Sequence, residues 1–236
     1  MLGQYKAQAA RVADPVARVL LGWRIRGSRI RPNQLTVLGL FCSMLATAAF
    51  VSEHGRLGGV LLALAGALDI LDGSLARVSG QVSPFGAFLD SVLDRYSDLL
   101  VLTGLVVSFM RTGGRAEVVA ALLALIGTVM VSYTRARAES VGVECRVGFM
   151  ERGERMLTLI VGALLDLLVP AVWVVALGAN ATAVHRILHT WRVTRRGAGA
   201  PEWAGSPEER APRAAGRVEV PEAAPEGAPP PVSLVD

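Results

Sequence analysis

Leu68-Asp69-Ile70-Leu71-Asp72-Gly73-Ser74-Leu75-Ala76-Arg77 and, after a short spacer, Gly86-Ala87-Phe88-Leu89-Asp90-Ser91-Val92-Leu93-Asp94 decide how this chain is read. Aspartates recur in both segments, inside apolar runs of membrane length, where a lone carboxylate is costly and is functional by default. On a helix, Asp69 and Asp72 share one face at i, i+3, and Asp90 and Asp94 do so at i, i+4. Carboxylates at close range in a low dielectric repel one another and stay ionised together only with cations between them. Hard oxygen donors of this kind suit Mg²⁺, Mn²⁺ or Ca²⁺, so Asp69, Asp72, Asp90 and Asp94 are the candidate metal ligands. The competing reading, in which they only cap helix ends or pair with Arg77 and Arg95, leaves their concentration in apolar sequence unexplained.

The surrounding composition agrees. Of 236 residues, 52% are hydrophobic and only 19% charged, and the mean hydropathy is +0.45, which disfavours an ordinary soluble domain. Aromatic residues are few at 6%, whereas Ala, Leu, Val and Gly abound, as in helices packed closely through small residues in lipid. Strand signals are sparse. The formal charge is +4, carried almost wholly by arginine, with Lys6 the only lysine. On an apolar chain that balance points to anionic headgroups or phosphorylated substrates and not to nucleic acid. Cys42 and Cys145 form neither a disulfide framework nor a metal motif. Residues 1–31 carry charge throughout and lack the apolar core of a secretory signal.

Taken in order, residues 1–31 interleave Val12, Val16, Leu20, Leu21 and Trp23 with Arg11, Arg18, Arg24 and Arg26, and predict an amphipathic helix lying in the membrane interface. Residues 32–195 contain six apolar runs: Val37–Val51, Gly58–Leu75, a run after the acidic start near Phe85 ending at Met110, Val118–Val131, Met156–Val169 and Ala171–Leu188. The expected fold is therefore all-α, an integral membrane bundle of six transmembrane helices behind the interfacial helix. Pro170 marks the expected last turn, and the acidic ends of helices two and three are expected to meet as an antiparallel pair. Arginines crowd the N-terminal segment, the turn after helix two, the loop after helix four and the C-terminal end. The positive-inside rule then puts the aspartates and both termini on the cytoplasmic side of the cell membrane. Residues 196–236, rich in Gly, Ala, Pro and Glu, read as a disordered cytoplasmic tail.

The pattern D-x2-D-G-x2-A-R-x8-G-x3-D-x3-D resembles the signature of the CDP-alcohol phosphotransferase family and is matched at every fixed position. The resemblance implies a transfer in which an alcohol attacks a CDP-activated lipid and CMP leaves. It implies Mg²⁺ or Mn²⁺, as two ions, on Asp69, Asp72, Asp90 and Asp94, with Asp72 and Asp90 shared and Asp94 also acting as general base. Pro32-Asn33-Gln34-Leu35-Thr36 resembles a further family element at the nucleotide pocket. With Gly73, Arg77 and Ser83, the residues Asn33, Gln34, Leu35 and Thr36 are the implied contacts of a CDP-diacylglycerol donor. A homodimer among membrane lipids is implied as well.

The acceptor is a separate question. R-A-R-A-E at 135–139 and G-F-x-E-R-x-E-R at 148–155 resemble the bacterial phosphatidylinositol phosphate synthases, which use inositol 1-phosphate. Two positions differ from that pattern, Gly153 in place of proline and Arg135 in place of a frequent lysine, and neither removes a phosphate ligand. Arg137, Arg152, Arg155 and Arg186 are the implied acceptor phosphate ligands, since the guanidinium fork holds phosphate well. Cytoplasmic loop arginines also arise from topology alone. Two alternatives stay open: another acceptor such as glycerol 3-phosphate, and an ion or proton carrier that uses the carboxylates as its pathway. His185 and His189, at i, i+4, have no accompanying carboxylate or cysteine and are given no role.

Overall fold

A computed structural model describes residues 32–195 apart from 81 and 113, together with the strand residues 24–25 and 28–29. Among the described residues six helices run in order: α1 (Pro32–Val51), α2 (Gly55–Ser79), α3 (Pro84–Thr112), α4 (Arg115–Ser140), α5 (Arg152–Leu164) and α6 (Leu168–Arg195). Before them, β1 (Arg24–Ile25) pairs antiparallel with β2 (Ser28–Arg29). The interfacial helix expected over residues 1–31 is thus not continuous to its end. The rest of that segment and the tail at 196–236 lie outside the described residues.

α1, α2, α4 and α6 are each long and apolar enough to cross a membrane. The outward side of α1 carries Val37, Leu38, Phe41, Met44 and Leu45, all exposed, while Leu35, Cys42, Ala46, Ala49 and Phe50 are buried. A helix with a small-residue inner face and a large apolar outer face suits lipid. α3 carries Asp90, Asp94, Arg95 and Asp98 in its N-terminal half, and α5 has only 13 residues. At about 1.5 Å per residue, α5 is shorter than a hydrocarbon core of roughly 30 Å.

The helix ends follow local chemistry. α2 stops where Gly80 takes the left-handed conformation, at φ 67°, and its N–H caps the carbonyls of Ala76 and Arg77. The turn between α5 and α6 falls at Leu165–Leu167, with Asp166 at φ 57°, and not at Pro170. Pro170 instead sits in the first turn of α6, where its missing N–H costs no helical hydrogen bond. Asp166 also pairs with Arg56 at the start of α2, tying that turn to its neighbour.

The principal packing runs in a circuit: α1 on α2 and α3, α3 on α4, α4 on α6, α6 on α5, and α5 back on α2. Its centre is an apolar cluster to which every helix contributes, including Phe50, Leu62, Leu105, Ala124, Leu159 and Val175. Close approach depends on small residues. A Cβ on Gly104 of α3 would stand 2.7 Å from Thr47 Cγ2 and 3.2 Å from the Thr47 carbonyl on α1. α2 and α3 share α1 as their main partner and are not principal partners of each other, contrary to the antiparallel pairing expected from the sequence. Carboxylates that are to hold cations need space between their backbones, and the α1 spacer leaves it.

Candidate metal and nucleotide site

Asp69 and Asp72 project from the C-terminal half of α2, and Asp90, Asp94 and Asp98 from the N-terminal half of α3. Asp69, Asp72 and Asp90 each offer one oxygen within 4.8 Å of the others, so three of the four expected ligands already converge. Asp72 is 5% exposed. Asp72 Oδ2 and Asp90 Oδ1 are buried without a hydrogen-bond partner. Burying ionised carboxylate oxygens without partners is strongly unfavourable. Hard, anionic, unpartnered donors at this spacing fit a divalent cation.

Asp94 is placed differently. Arg152, the first residue of α5, stands across it, with Nη2 3.0 Å from Asp94 Oδ1 and Nη1 2.9 Å from Asp69 Oδ2. The Arg152 Nε lies 3.6 Å from Asp98 Oδ1. Arg152 thus bridges Asp69 and Asp94, whereas Arg95 donates to the Ser91 carbonyl of its own helix.

Beside the aspartates opens a cleft of about 220 Å³. Asn33, Thr36, Gly73, Arg77 and Ser83 line it together with Asp72 and Asp90. Arg77 Nη2 donates to Ser74 Oγ at 2.9 Å, which orients the guanidinium along the wall. A Cβ on Gly73 would meet only Arg77 Nη1, at 3.4 Å, so the glycine keeps the helix surface low at that point. Ser83 Oγ accepts the Gly86 N–H at 3.0 Å and fixes the entry to α3. Gln34 and Leu35 are absent from the lining; Leu35 is buried with Leu75 in a small apolar cluster.

The remaining arginines divide. Arg155, 4% exposed, donates to Asp98 Oδ2 at 2.7 Å and to the Met150 carbonyl at 3.2 Å. Arg186, 2% exposed, donates to the Val147 carbonyl at 2.8 Å, the Val131 carbonyl at 2.6 Å and Glu151 Oε1 at 3.1 Å. It thereby fastens the α4–α5 loop to α6, and Gly148, at φ 120°, packs against Thr182 and Arg186 there. Arg137 donates to Ser140 Oγ at 3.4 Å and lines a groove between α4 and α6 that Arg186 also borders. Arg152 and Arg155 thus join the aspartate group, Arg186 is linked to it through Glu151, and Arg137 stands on another face.

Sequence reasoning missed Asp98 and Glu151, which hold these arginines. For Asp98 a signal existed: Asp90, Asp94 and Asp98 repeat at i, i+4 along one face of α3. Glu151 is embedded in a loop among alternating charges and has no comparable spacing.

Residues 29–194 match the family profile described as CDP-alcohol phosphatidyltransferase. The archaetidylinositol phosphate synthase of Pyrococcus horikoshii is 38% identical over 178 residues, covering 75% of this chain and 91% of the relative. The phosphatidylinositol phosphate synthase of Mycobacterium tuberculosis is 34% identical over 200 residues, covering 79% of this chain and 88% of that one. Its crystal structure with CDP-DAG bound superposes with a TM-score of 0.68 at 31% identity, covering 77% of this chain and 94% of that chain. The same protein in complex with manganese and citrate gives a TM-score of 0.68 at 31% identity over 76% of this chain and 88% of that chain. The match to the profile across nearly all of the described helices, with these relatives, establishes that the chain belongs to the CDP-alcohol phosphatidyltransferase family.

Proposed function

We propose that this protein transfers a phosphatidyl group from CDP-diacylglycerol to inositol 1-phosphate, giving phosphatidylinositol phosphate and CMP. The observation that carries the reading is the convergence of Asp69, Asp72 and Asp90 at the edge of a cleft lined by Asn33, Thr36, Gly73, Arg77 and Ser83. The names of the archaeal and mycobacterial relatives differ in the lipid and share the inositol phosphate, which supports that acceptor over glycerol 3-phosphate.

Asp69, Asp72 and Asp90, with Asp94 beside them, would hold Mg²⁺ or Mn²⁺, as two ions. Such ions neutralise the diphosphate and the charge that develops on departing CMP. Asn33, Thr36, Arg77 and Ser83 surround the cytidine diphosphate, and Gly73 leaves room for it. Asp94 accepts the proton of the acceptor hydroxyl as that oxygen bonds to the phosphatidyl phosphorus and the phosphorus–oxygen bond to CMP breaks. Arg152 and Arg155 would bind the acceptor phosphate, with Arg186 braced against Glu151 beside them; Arg137, on another face, stands outside that set.

The reading places α3 and α5 across the bilayer with α1, α2, α4 and α6, the site facing the cytoplasm, and two copies associated in the cell membrane. The arginine distribution supports that orientation. An acceptor screen tests the function: inositol 1-phosphate should support CMP release, while free inositol and glycerol 3-phosphate should support little. Equal use of free inositol would remove the phosphate-binding role of the arginines.

A further inference from the structure

We infer that Arg152 is an exchangeable counter-ion, bridging Asp69 and Asp94 when divalent metal is absent and released toward the acceptor when metal binds. The inference rests on the metal-site reading above. Three features of Arg152 point this way. It occupies the first position of α5, where the helix dipole disfavours a cation, so its placement depends on carboxylates from other helices. Its two terminal nitrogens reach one carboxylate each, Asp69 at 2.9 Å and Asp94 at 3.0 Å, on α2 and α3 respectively. Its Nε is buried without a hydrogen bond, at 3.6 Å from Asp98 Oδ1, so the guanidinium is incompletely satisfied where it stands.

Asp69 belongs both to this bridge and to the trio that converges for metal. A divalent ion on that trio and a guanidinium on the same carboxylate repel each other and compete for its oxygens. Metal entry therefore weakens the Asp69 arm of the bridge. That frees one face of the guanidinium. The freed fork stands at the acceptor side of the site, where a phosphate dianion offers it a stronger bidentate partner. By linkage, metal that displaces Arg152 from Asp69 raises the affinity for the phosphorylated acceptor, and the acceptor raises the affinity for metal by the same factor. Arg155 does not share this role, because its pairing with Asp98 and the Met150 carbonyl leaves Asp69 untouched.

The test is Mn²⁺ binding to the full chain, purified in detergent and stripped of metal, read by the electron paramagnetic resonance of free Mn²⁺ without any lipid or acceptor. Arg152→Gln removes the competitor and should bind Mn²⁺ roughly 10-fold or more tightly than the parent, the scale of one charge-assisted contact. Arg152→Lys keeps the charge and the fold but cannot bridge two carboxylates, and should show a smaller tightening in the same direction. Parent-like or weaker Mn²⁺ affinity in Arg152→Gln overturns the exchange. So does a Lys variant identical to the parent, which would mean that charge alone sets the affinity. A parent protein that binds no Mn²⁺ overturns the metal-site reading itself, and this inference with it.

Discussion

Arg155 on α5 donates to Asp98 Oδ2 on α3 at 2.7 Å, and its side chain is 5% exposed against 11% for Asp98. These two helices are not principal packing partners, so the ion pair is a cross-brace through the circuit at the level of the acidic site.

Removing one partner of such a pair leaves the other charge buried. Asp98→Asn should lower stability by about 3–5 kcal/mol, and replacing both residues by apolar ones of similar volume should recover most of it. Thermal unfolding in detergent measures both. An Asp98→Asn protein as stable as the parent would show that Arg155 finds another partner.

Asp69→Asn and Asp72→Asn take charge from the converging trio. Each should abolish the metal-dependent part of CDP-lipid binding, measured by titrating a CDP-lipid with and without Mn²⁺. Parent-like, metal-dependent affinity in either variant would remove that residue from the ligand set.

Asp94 stands outside the trio and against Arg152. Asp94→Asn should lower turnover by roughly 10²–10⁴-fold, the usual scale for losing a general base, with donor binding little changed. Loss of donor binding together with turnover would assign Asp94 chiefly to metal.

The contact of α1 with α3 at Gly104 gives a stability test far from the chemistry. Gly104→Val would press into Thr47 side chain and backbone and should cost roughly 1–3 kcal/mol or more. A lowered unfolding temperature with the parent's Mn²⁺ affinity is the expected pattern, and an unchanged temperature would contradict the close approach.

The acidic site was legible in sequence because Asp69, Asp72, Asp90 and Asp94 have no structural reason to sit in apolar helices. The cleft residues Asn33, Thr36, Gly73, Arg77 and Ser83 were legible through motif spacing. Leu35 was swept in with its motif, although an apolar residue one turn from Gly39 on the inner face of α1 belongs to the core. Pro170 misled because proline is as much a first-turn residue as a terminator, and only the length of the preceding helix separates the two. The pairings of Arg152, Arg155 and Arg186 were hidden for another reason, although Asp98 itself shows in the i, i+4 repeat of α3. They are set by how the loop at 141–151 folds back, and long-range pairing across a loop leaves no periodic trace in the chain.

The most direct test of the phosphatidyl transfer is CMP release from CDP-diacylglycerol by the purified, metal-stripped protein, followed before and after addition of Mg²⁺ or Mn²⁺ and of inositol 1-phosphate. Release that requires both the metal and the phosphorylated acceptor, with phosphatidylinositol phosphate as the lipid product by mass spectrometry, is the expected result. CMP release that proceeds equally without inositol 1-phosphate, or no release with both present, would contradict it.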